Sequence, residues 1–211
     1  MRLTANDIAA MDERRRVFFI NSLSGLKSVN LIGTANGTQQ HNLAIVSSVV
    51  HIGSNPPLLA MMSRPHTVRR DTLENIHDTG FFTINHVNSA FLEAAHQTSA
   101  RYDADQSEFD IVGLTPRISE LHPAPYVAES ALQIGLAHRQ TIDLDINGSH
   151  MVIGEVIEVQ LDEDAVSDDG AIDLGALGSL VVSGLDHYHA TDSIARLSYA
   201  KPDQPLHKLS A

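Results

Sequence analysis

The pair Asn147-Gly148 separates two long runs of apolar and β-branched residues, which cover 132–144 and 151–161. Asn and Gly accept the positive φ angles of a tight turn, so this pattern predicts a long antiparallel β-hairpin. A second pair, Asn36-Gly37, lies between apolar runs over 29–34 and 43–52 and predicts another hairpin with two positive φ angles. Strands joined by such short turns run antiparallel, because a parallel connection needs a dozen or more residues.

Helix signals occur at only a few places. A short N-terminal helix is predicted from Thr4, which can cap it together with Asp7, and the run Arg14-Arg15-Arg16 is expected to close it. The clearest helix is predicted over 67–79, with Thr67 as its cap and Gly80 as a left-handed stop. Another helix is predicted over 89–98, and further strands over 17–20, 58–62 and 81–87. The strand over 43–52 is expected to end at Asn55-Pro56-Pro57, because proline lacks a backbone donor.

These elements predict a mainly β fold, an antiparallel barrel or sandwich with added helices. The absence of regular strand–helix alternation excludes a Rossmann fold, and neither the Gly-x-Gly-x-x-Gly motif nor the P-loop motif is present. A bound nucleotide would therefore need a different kind of binding site. Residues 1–211 are interpreted as one domain, with an N-terminal helix within 1–13 and a tail over 203–211.

Charge and composition exclude several classes of protein. The formal net charge of −12 argues against nucleic acid and anionic lipid as partners. The chain has no cysteine, which excludes disulfides, thiolate metal sites and cysteine nucleophiles. No apolar stretch reaches the length of a membrane-spanning helix, so we expect a cytoplasmic protein with no membrane partner.

The most basic segment of this acidic chain is 63–70, at the predicted start of a helix. It gathers arginines and hydroxyl groups where a helix offers unpaired N–H groups, and such a cluster suits a phosphate dianion. The candidate phosphate ligands are Ser63, Arg64, Thr67, Arg69 and Arg70. The alternative is that these arginines only form ion pairs with Asp71, Glu74 or other acids.

Polar side chains also interrupt the apolar strand over 43–52 and its start. Asn42, Ser47 and Ser48 could bind a flat heteroaromatic ligand, or they could simply bond neighbouring backbone. The 12 histidines raise the possibility of a metal, and His187 and His189 are the closest pair, but no metal-binding motif is present and no functional metal is predicted.

The order and spacing of several short motifs resemble the flavin reductase-like family, an FMN-binding split-barrel family. The resemblance covers about residues 15–200. It rests on Gly33-Thr34, Asn36-Gly37, Asn42-Leu43-Ala44, Ser47-Ser48, Asn55-Pro56-Pro57-Leu58, Thr67, Asn75-Ile76, Thr79-Gly80-Phe81, Ile84-Asn85, Ser107-Glu108-Phe109-Asp110, Gly113-Leu114, Glu129-Ser130-Ala131, Ile153-Gly154-Glu155-Val156 and Gly184-Leu185-Asp186-His187-Tyr188.

This resemblance implies a six-stranded antiparallel Greek-key split barrel that forms a homodimer with FMN at the subunit interface. It further implies NAD(P)H-dependent flavin reduction, with hydride passing from NADH or NADPH to flavin N5. That reaction needs stacked rings and exclusion of water, so no catalytic side chain is predicted.

The family's FMN contacts can be placed on this sequence by their position in the motifs. The resemblance places the Asn42 region at the isoalloxazine edge and Ser47 and Ser48 at the ribityl and phosphate end. Ser63, Arg64, Thr67 and Arg69 would bind the phosphate, with Arg70 as a further candidate. His86 and His189 are expected to line a nicotinamide pocket.

Two other functions remain open at this point. One is a non-catalytic FMN-binding protein or electron carrier that a partner protein reduces. The other is a barrel that binds no flavin and acts as an interaction module. Phe81, Phe82 and Tyr188 are expected in the core or a subunit interface, and 180–182 could serve an interface too.

Overall fold

A computed structural model describes residues 1–65, 70–103 and 105–209. In these ranges the chain is mainly β with a few short helices, as predicted. The strands are β1 (Lys27–Ser28), β2 (Asn30–Ala35), β3 (His41–Val46), β4 (Val49–Ser54), β5 (Pro57–Ser63), β6 (Phe81–His86), β7 (Pro116–Arg117), β8 (Tyr126–Val127), β9 (Leu132–Leu144), β10 (Ser149–Leu161), β11 (Val181–Ser183), β12 (His187–His189), β13 (Arg196–Leu197) and β14 (Lys208–Leu209). The helices are α1 (Ala5–Ala9), α2 (Glu13–Leu23), α3 (Asp71–Thr79), α4 (Leu92–Gln97) and α5 (Glu108–Val112), with a 3₁₀ turn at Glu163–Ala165.

The main sheet has the strand order β3-β2-β6-β9-β10-β5-β4, and every neighbouring pair is antiparallel. Its two edge strands, β3 and β4, are separated only by Ser47-Ser48, so the sheet has to curl until its edges approach there. The single strand predicted over 43–52 is therefore wrong, because the chain leaves one edge of the sheet and enters the other at these serines. The resemblance implied six strands, whereas this sheet has seven in the described part of the chain.

The long hairpin of β9 and β10 is confirmed. Leu144 pairs with Ser149 across the turn, and Gly148 has a φ of 71°. The β2–β3 hairpin is also confirmed, but its turn spans 36–40 and its positive φ lies at Gln39. The Asn36 carboxamide oxygen accepts backbone N–H groups of Thr38 and Gln40, which favours this wider turn over the predicted two-residue turn.

The N-terminal capping box of Thr4 and Asp7 is confirmed. The strand predicted over 17–20 is wrong, because these residues lie inside α2. The Asp12 side chain caps α2 by accepting from Arg15 N at 3.0 Å. The arginine run lies in the first turns of α2 rather than at the end of α1, although Arg16 donates to the Met11 carbonyl just past α1.

The helix predicted over 67–79 is described as α3 from Asp71 to Thr79, and Gly80 ends it with a φ of 77° as predicted. The predicted cap Thr67 lies outside the described residues. Arg70 occupies the N-cap position and makes no side-chain capping bond. The helix predicted over 89–98 is shorter and forms α4.

The curled sheet encloses one apolar cluster, and α3 covers it with Leu73 and Ile76. Phe82 belongs to this cluster and is only 1% exposed, which confirms its expected core position. A second cluster, on the other face of the sheet, includes Leu180 and Val182, so these two residues serve the chain's own core rather than a subunit interface. Among the described residues, no helix has the length and hydropathy needed to cross a membrane.

Candidate functional site

Three arginines from separate parts of the chain converge near the start of α3. Arg64 follows β5, Arg70 precedes α3, and Arg101 follows α4. The pKa of Arg70 is lowered by burial and then by the positive charges of Arg64 and Arg101. Within the described residues none of the three forms an ion pair, and the Arg70 Nε donates only to the Pro65 carbonyl, at 3.4 Å. The arrangement is a cluster of like charges that a bound anion would stabilise.

The predicted phosphate ligands divide into three groups. Arg64 and Arg70 belong to the cluster, and Ser63 lies beside it, half-buried at the end of β5. Thr67 and Arg69 lie outside the described residues. Arg101 was missed, because only the folded chain brings the loop after α4 next to Arg70.

His150 is a second residue that the sequence did not single out. It pairs across the sheet with Ser63, next to Arg64. Its Nδ1 lies 2.6 Å from an Asp143 oxygen, which fixes the ring. Its Nε2 is buried without a hydrogen-bond partner among the described residues, although buried polar atoms are normally paired. An unpaired ring nitrogen across the sheet from Ser63 is suited to contact a bound ligand.

The two serines between β3 and β4 have different roles. The Ser48 hydroxyl donates to the Met62 carbonyl at 2.9 Å and accepts from Met62 N at 3.2 Å, so it extends the β4–β5 ladder. Ser47 is half-buried, and its hydroxyl has no hydrogen-bond partner among the described residues. Of the two hydroxyls, Ser47 is therefore the one left for a ligand.

Asn42 lies at the opposite end of β3, and other side chains occupy its carboxamide. Its Nδ2 donates to Glu108 at 2.8 Å, and its Oδ1 accepts from Thr34 and Thr72 at 3.2 and 2.9 Å. Glu108 also accepts from Leu43 N, while its burial raises the pKa of its carboxyl. The Asn42 side chain thus holds β2, β3, α3 and α5 together, through side-chain partners rather than the neighbouring backbone that the sequence left open.

A polar cleft lies beside this network. Its enclosed volume is about 20 Å³, which is room for about one water molecule and too little for a tricyclic ring. The residues that line it are Asn36, Gln40, His41, Asn42, Asp71, Asn75, Tyr102, Asp103, Gln106 and Glu108.

The face of β9, β10, β5 and β4 that points away from the enclosed cluster is apolar. Met61 and Val152 point inward, so their neighbours along the strands point outward. We call this surface the outer apolar face; its cross-strand rows are Ile142–Met151–Met62 and Gln140–Ile153–Ala60–Val50, of which Ile153 and Ala60 are already buried in the single chain. Val50 is 47% exposed and Ile142 38%. A sheet face turned to water is normally polar, so this surface suits a protein partner.

The histidines expected near a nicotinamide each have a serine partner. His86 Nδ1 lies 3.0 Å from Ser179 Oγ, and His189 Nε2 lies 2.9 Å from Ser183 Oγ. The rings of His187 and His189 lie on one side of β12, with centroids 4.4 Å apart. Within residues 1–65, 70–103 and 105–209, no three metal-ligating side chains are grouped closely enough to hold an ion.

Comparison with known proteins identifies a family and solved structures that this chain is similar to. The model of the flavin reductase like domain matches residues 23–179. A crystal structure from Shewanella frigidimarina, assigned as a flavin reductase with a split barrel domain, is 50% identical with a TM-score of 0.92, covering 95% of this chain and all of that one.

Two further solved structures share the fold. Nitrilotriacetate monooxygenase component B from Bacillus cereus is 21% identical with a TM-score of 0.82, covering 93% of this chain and 98% of that one. Flavoredoxin of Desulfovibrio vulgaris is 25% identical with a TM-score of 0.68, covering 85% and 92%. One curated sequence relative is 25% identical to this chain, and the chain spans 65% of that relative's length.

Proposed function

Because the chain belongs to the flavin reductase-like family, we propose that it is an FMN-dependent oxidoreductase that takes hydride from NADH or NADPH and passes electrons to free flavin or another acceptor. The family membership supports flavin chemistry. The observation that carries the choice of FMN is the arginine cluster of Arg64, Arg70 and Arg101, which has no carboxylate partner in the described residues.

The residues present fit a flavin phosphate. The pKa of Arg70 is lowered by burial and then by repulsion from Arg64 and Arg101, and a phosphate dianion would offset that repulsion. Arginine also binds phosphate oxygens with two parallel donors. Ser63 and Ser47 add hydroxyl groups, and the unpaired Nε2 of His150 offers one more contact. Thr67 and Arg69 stay predicted ligands from their place in the same segment.

Bound flavin supplies the two-electron chemistry of hydride transfer. The role proposed for the protein is to bind the flavin, orient it against the nicotinamide and keep water away. No general acid or base is needed, so no catalytic side chain is assigned. Backbone N–H groups near the bound ring would stabilise the charge of its reduced form.

We propose a homodimer with the flavin at the subunit interface. The polar cleft beside Asn42 is too small for the ring, whereas the outer apolar face ends next to the arginine cluster. Arg64 follows Met62 by two residues, so a second copy packed on this face would lie beside the phosphate site. The proposal also includes Greek-key connections in the split barrel and a cytoplasmic location.

The second candidate is an FMN-binding electron carrier that a partner protein reduces, and the likeness to flavoredoxin favours it. Both candidates bind FMN, so colour alone does not separate them. They differ in whether reduced nicotinamide delivers its hydride to the bound flavin.

The test is an absorbance spectrum of the purified, FMN-loaded protein without oxygen, before and after NADH or NADPH is added. Bleaching within a few turnovers supports the reductase. A yellow protein that dithionite bleaches but neither nicotinamide does would establish the electron carrier instead. A protein that stays colourless after FMN is added would rule out both.

A further inference from the structure

The second helix carries an apolar stripe that nothing in the single chain covers. Val17, Ile20 and Leu23 recur every third residue, and they are 40%, 45% and 64% exposed. Leu26, just beyond the helix, continues the stripe at 58% exposure. Neither α1 nor α2 contains a buried residue. A soluble monomer normally turns such a stripe toward its own core.

This stripe is held in place rather than carried on a loose tail. Asp12 caps α2, and Asn21 and Ser22 donate to the carbonyls of Val17 and Phe18 at 2.8 Å. At the far end, Lys27 Nζ donates to the carbonyls of Asn21 and Gly184 at 2.8 and 3.3 Å. The helix is therefore capped at its start and attached to the body just beyond its end, which lowers the entropy cost of binding.

The charge of this segment is opposite to that of the rest of the chain. We call residues 1–28 the N-terminal arm. It contains five Lys or Arg and three Asp or Glu, whereas residues 29–211 contain nine and 23. A basic arm attached to an acidic body is complementary to the body of a second identical chain. The same acidic body opposes approach to an anionic lipid surface.

We propose that the N-terminal arm packs against a second copy of this chain, with the stripe of α2 covering part of that copy's outer apolar face. The stripe is exposed in the single chain, and so are Val50 and Ile142 of the outer apolar face, so the two surfaces do not cover one another within it. In a two-fold dimer each arm makes the same contact, and two such contacts bury both pairs of surfaces. The inference rests on the proposed function only for the existence of a dimer.

The test compares the double variant Ile20→Ser, Leu23→Ser with the wild type by sedimentation velocity over a range of protein concentrations. Since neither residue is buried in the single chain, the variant is expected to fold, which circular dichroism checks. Loss of two large apolar contacts is expected to raise the dimer dissociation constant at least about tenfold. The matched control is Ile146→Ser, because Ile146 is 95% exposed at the tip of the β9–β10 hairpin, outside both surfaces.

Charge gives an independent readout. If the arm of one copy meets the acidic body of the other, the wild-type dimer should weaken at high salt. The variant Arg14→Ser, Arg15→Ser should show a weaker dimer and a smaller response to salt than the wild type.

Three outcomes would overturn the inference. The double variant could dimerise as tightly as the wild type, or the wild type could be monomeric at every concentration. The arm could instead bind phosphatidylserine vesicles in flotation while the dimer stays unchanged, which would make lipid its partner. Failure of the proposed function shows separately, as a protein that binds no FMN but still needs the arm to dimerise.

Discussion

At the scale of single residues, burial decides which polar groups carry charge. His86 lies at the end of β6 with Ser179 Oγ 3.0 Å from its Nδ1. Burial lowers the pKa of its imidazole from 6.5 to about 4. The folded chain therefore keeps this ring neutral at a pH where the unfolded chain protonates it.

This difference predicts a pH dependence of stability. Above about pH 6.5 the ring is neutral in both states, and between 6.5 and about 4 only the unfolded chain binds the proton, so the free energy of unfolding falls as the pH falls. At about 1.4 kcal/mol per pKa unit, the loss from His86 is at most about 3 kcal/mol. Urea titrations above and below this window would measure it. His86→Gln should flatten the dependence, and the exposed His187→Gln should not; equal slopes in both variants would contradict the assignment.

The arginine cluster gives a second prediction at this scale. Arg64→Ala with Arg70→Ala should weaken FMN at least about tenfold, because charge-assisted contacts to phosphate are lost, and should leave riboflavin almost unchanged. Fluorescence titration of both flavins measures the difference. The control is Arg139→Ala, whose guanidinium is engaged by Glu155 at 2.7 Å. Equal losses for FMN and riboflavin would show that these arginines do not contact the phosphate.

Residues of the candidate site could be predicted where they share one segment. Arg64 and Arg70 were found because they crowd a helix start within a few residues of sequence. Arg101 and His150 were not, because only β5, β10 and the loop after α4 bring them to that place. The engagement of Asn42 by Glu108 was equally hidden, since 66 residues separate the two.

At the scale of elements, local turn chemistry predicted more than strand composition did. Gly80 ends α3 and Gly148 lies in the β9–β10 turn, both with positive φ angles where expected. Residues 17–20 are apolar or aromatic and resemble a strand, yet the Asp12 cap starts a helix that includes them. Ser47-Ser48 stood out only as polar positions within one strand, because apolar residues continue on both sides and only the curl of the sheet separates β3 from β4.

The contact between β2 and the segment before β8 gives a prediction at this scale. A Cβ on Gly33 would overlap the Pro125 carbonyl oxygen, which also accepts from Thr83 Oγ1 at 2.6 Å. Gly33→Ala should therefore destabilise the chain by about 3 kcal/mol or more, because backbone has to move. Gly37→Ala is the control, since an added Cβ there meets no atom within 4 Å, and its effect should stay within about 0.5 kcal/mol. Thermal unfolding compares the two variants. Similar melting temperatures would show that β2 and the segment before β8 are not in close contact.

At the scale of the whole molecule, the sequence predicted a mainly β antiparallel chain but not the distribution of its apolar surface. Strand alternation alone cannot show that Val50 and Ile142 lie on one face, because β10 and β5 lie between their two strands in the sheet. The folded sheet unites them on the outer apolar face, next to Arg64. In the proposed dimer this adjacency makes flavin binding depend on subunit contact.

This dependence is open to a direct test. Val50→Asp places a charge on the outer apolar face and should convert the dimer to monomer, because an unpaired carboxylate buried in an interface is strongly unfavourable. FMN affinity should fall together with the dimer, as followed by sedimentation and flavin fluorescence on the same samples. The control Ile146→Asp adds the same charge at a 95% exposed hairpin tip and should change neither quantity. A monomeric Val50→Asp variant that still binds FMN as the wild type does would place the whole flavin site within one chain.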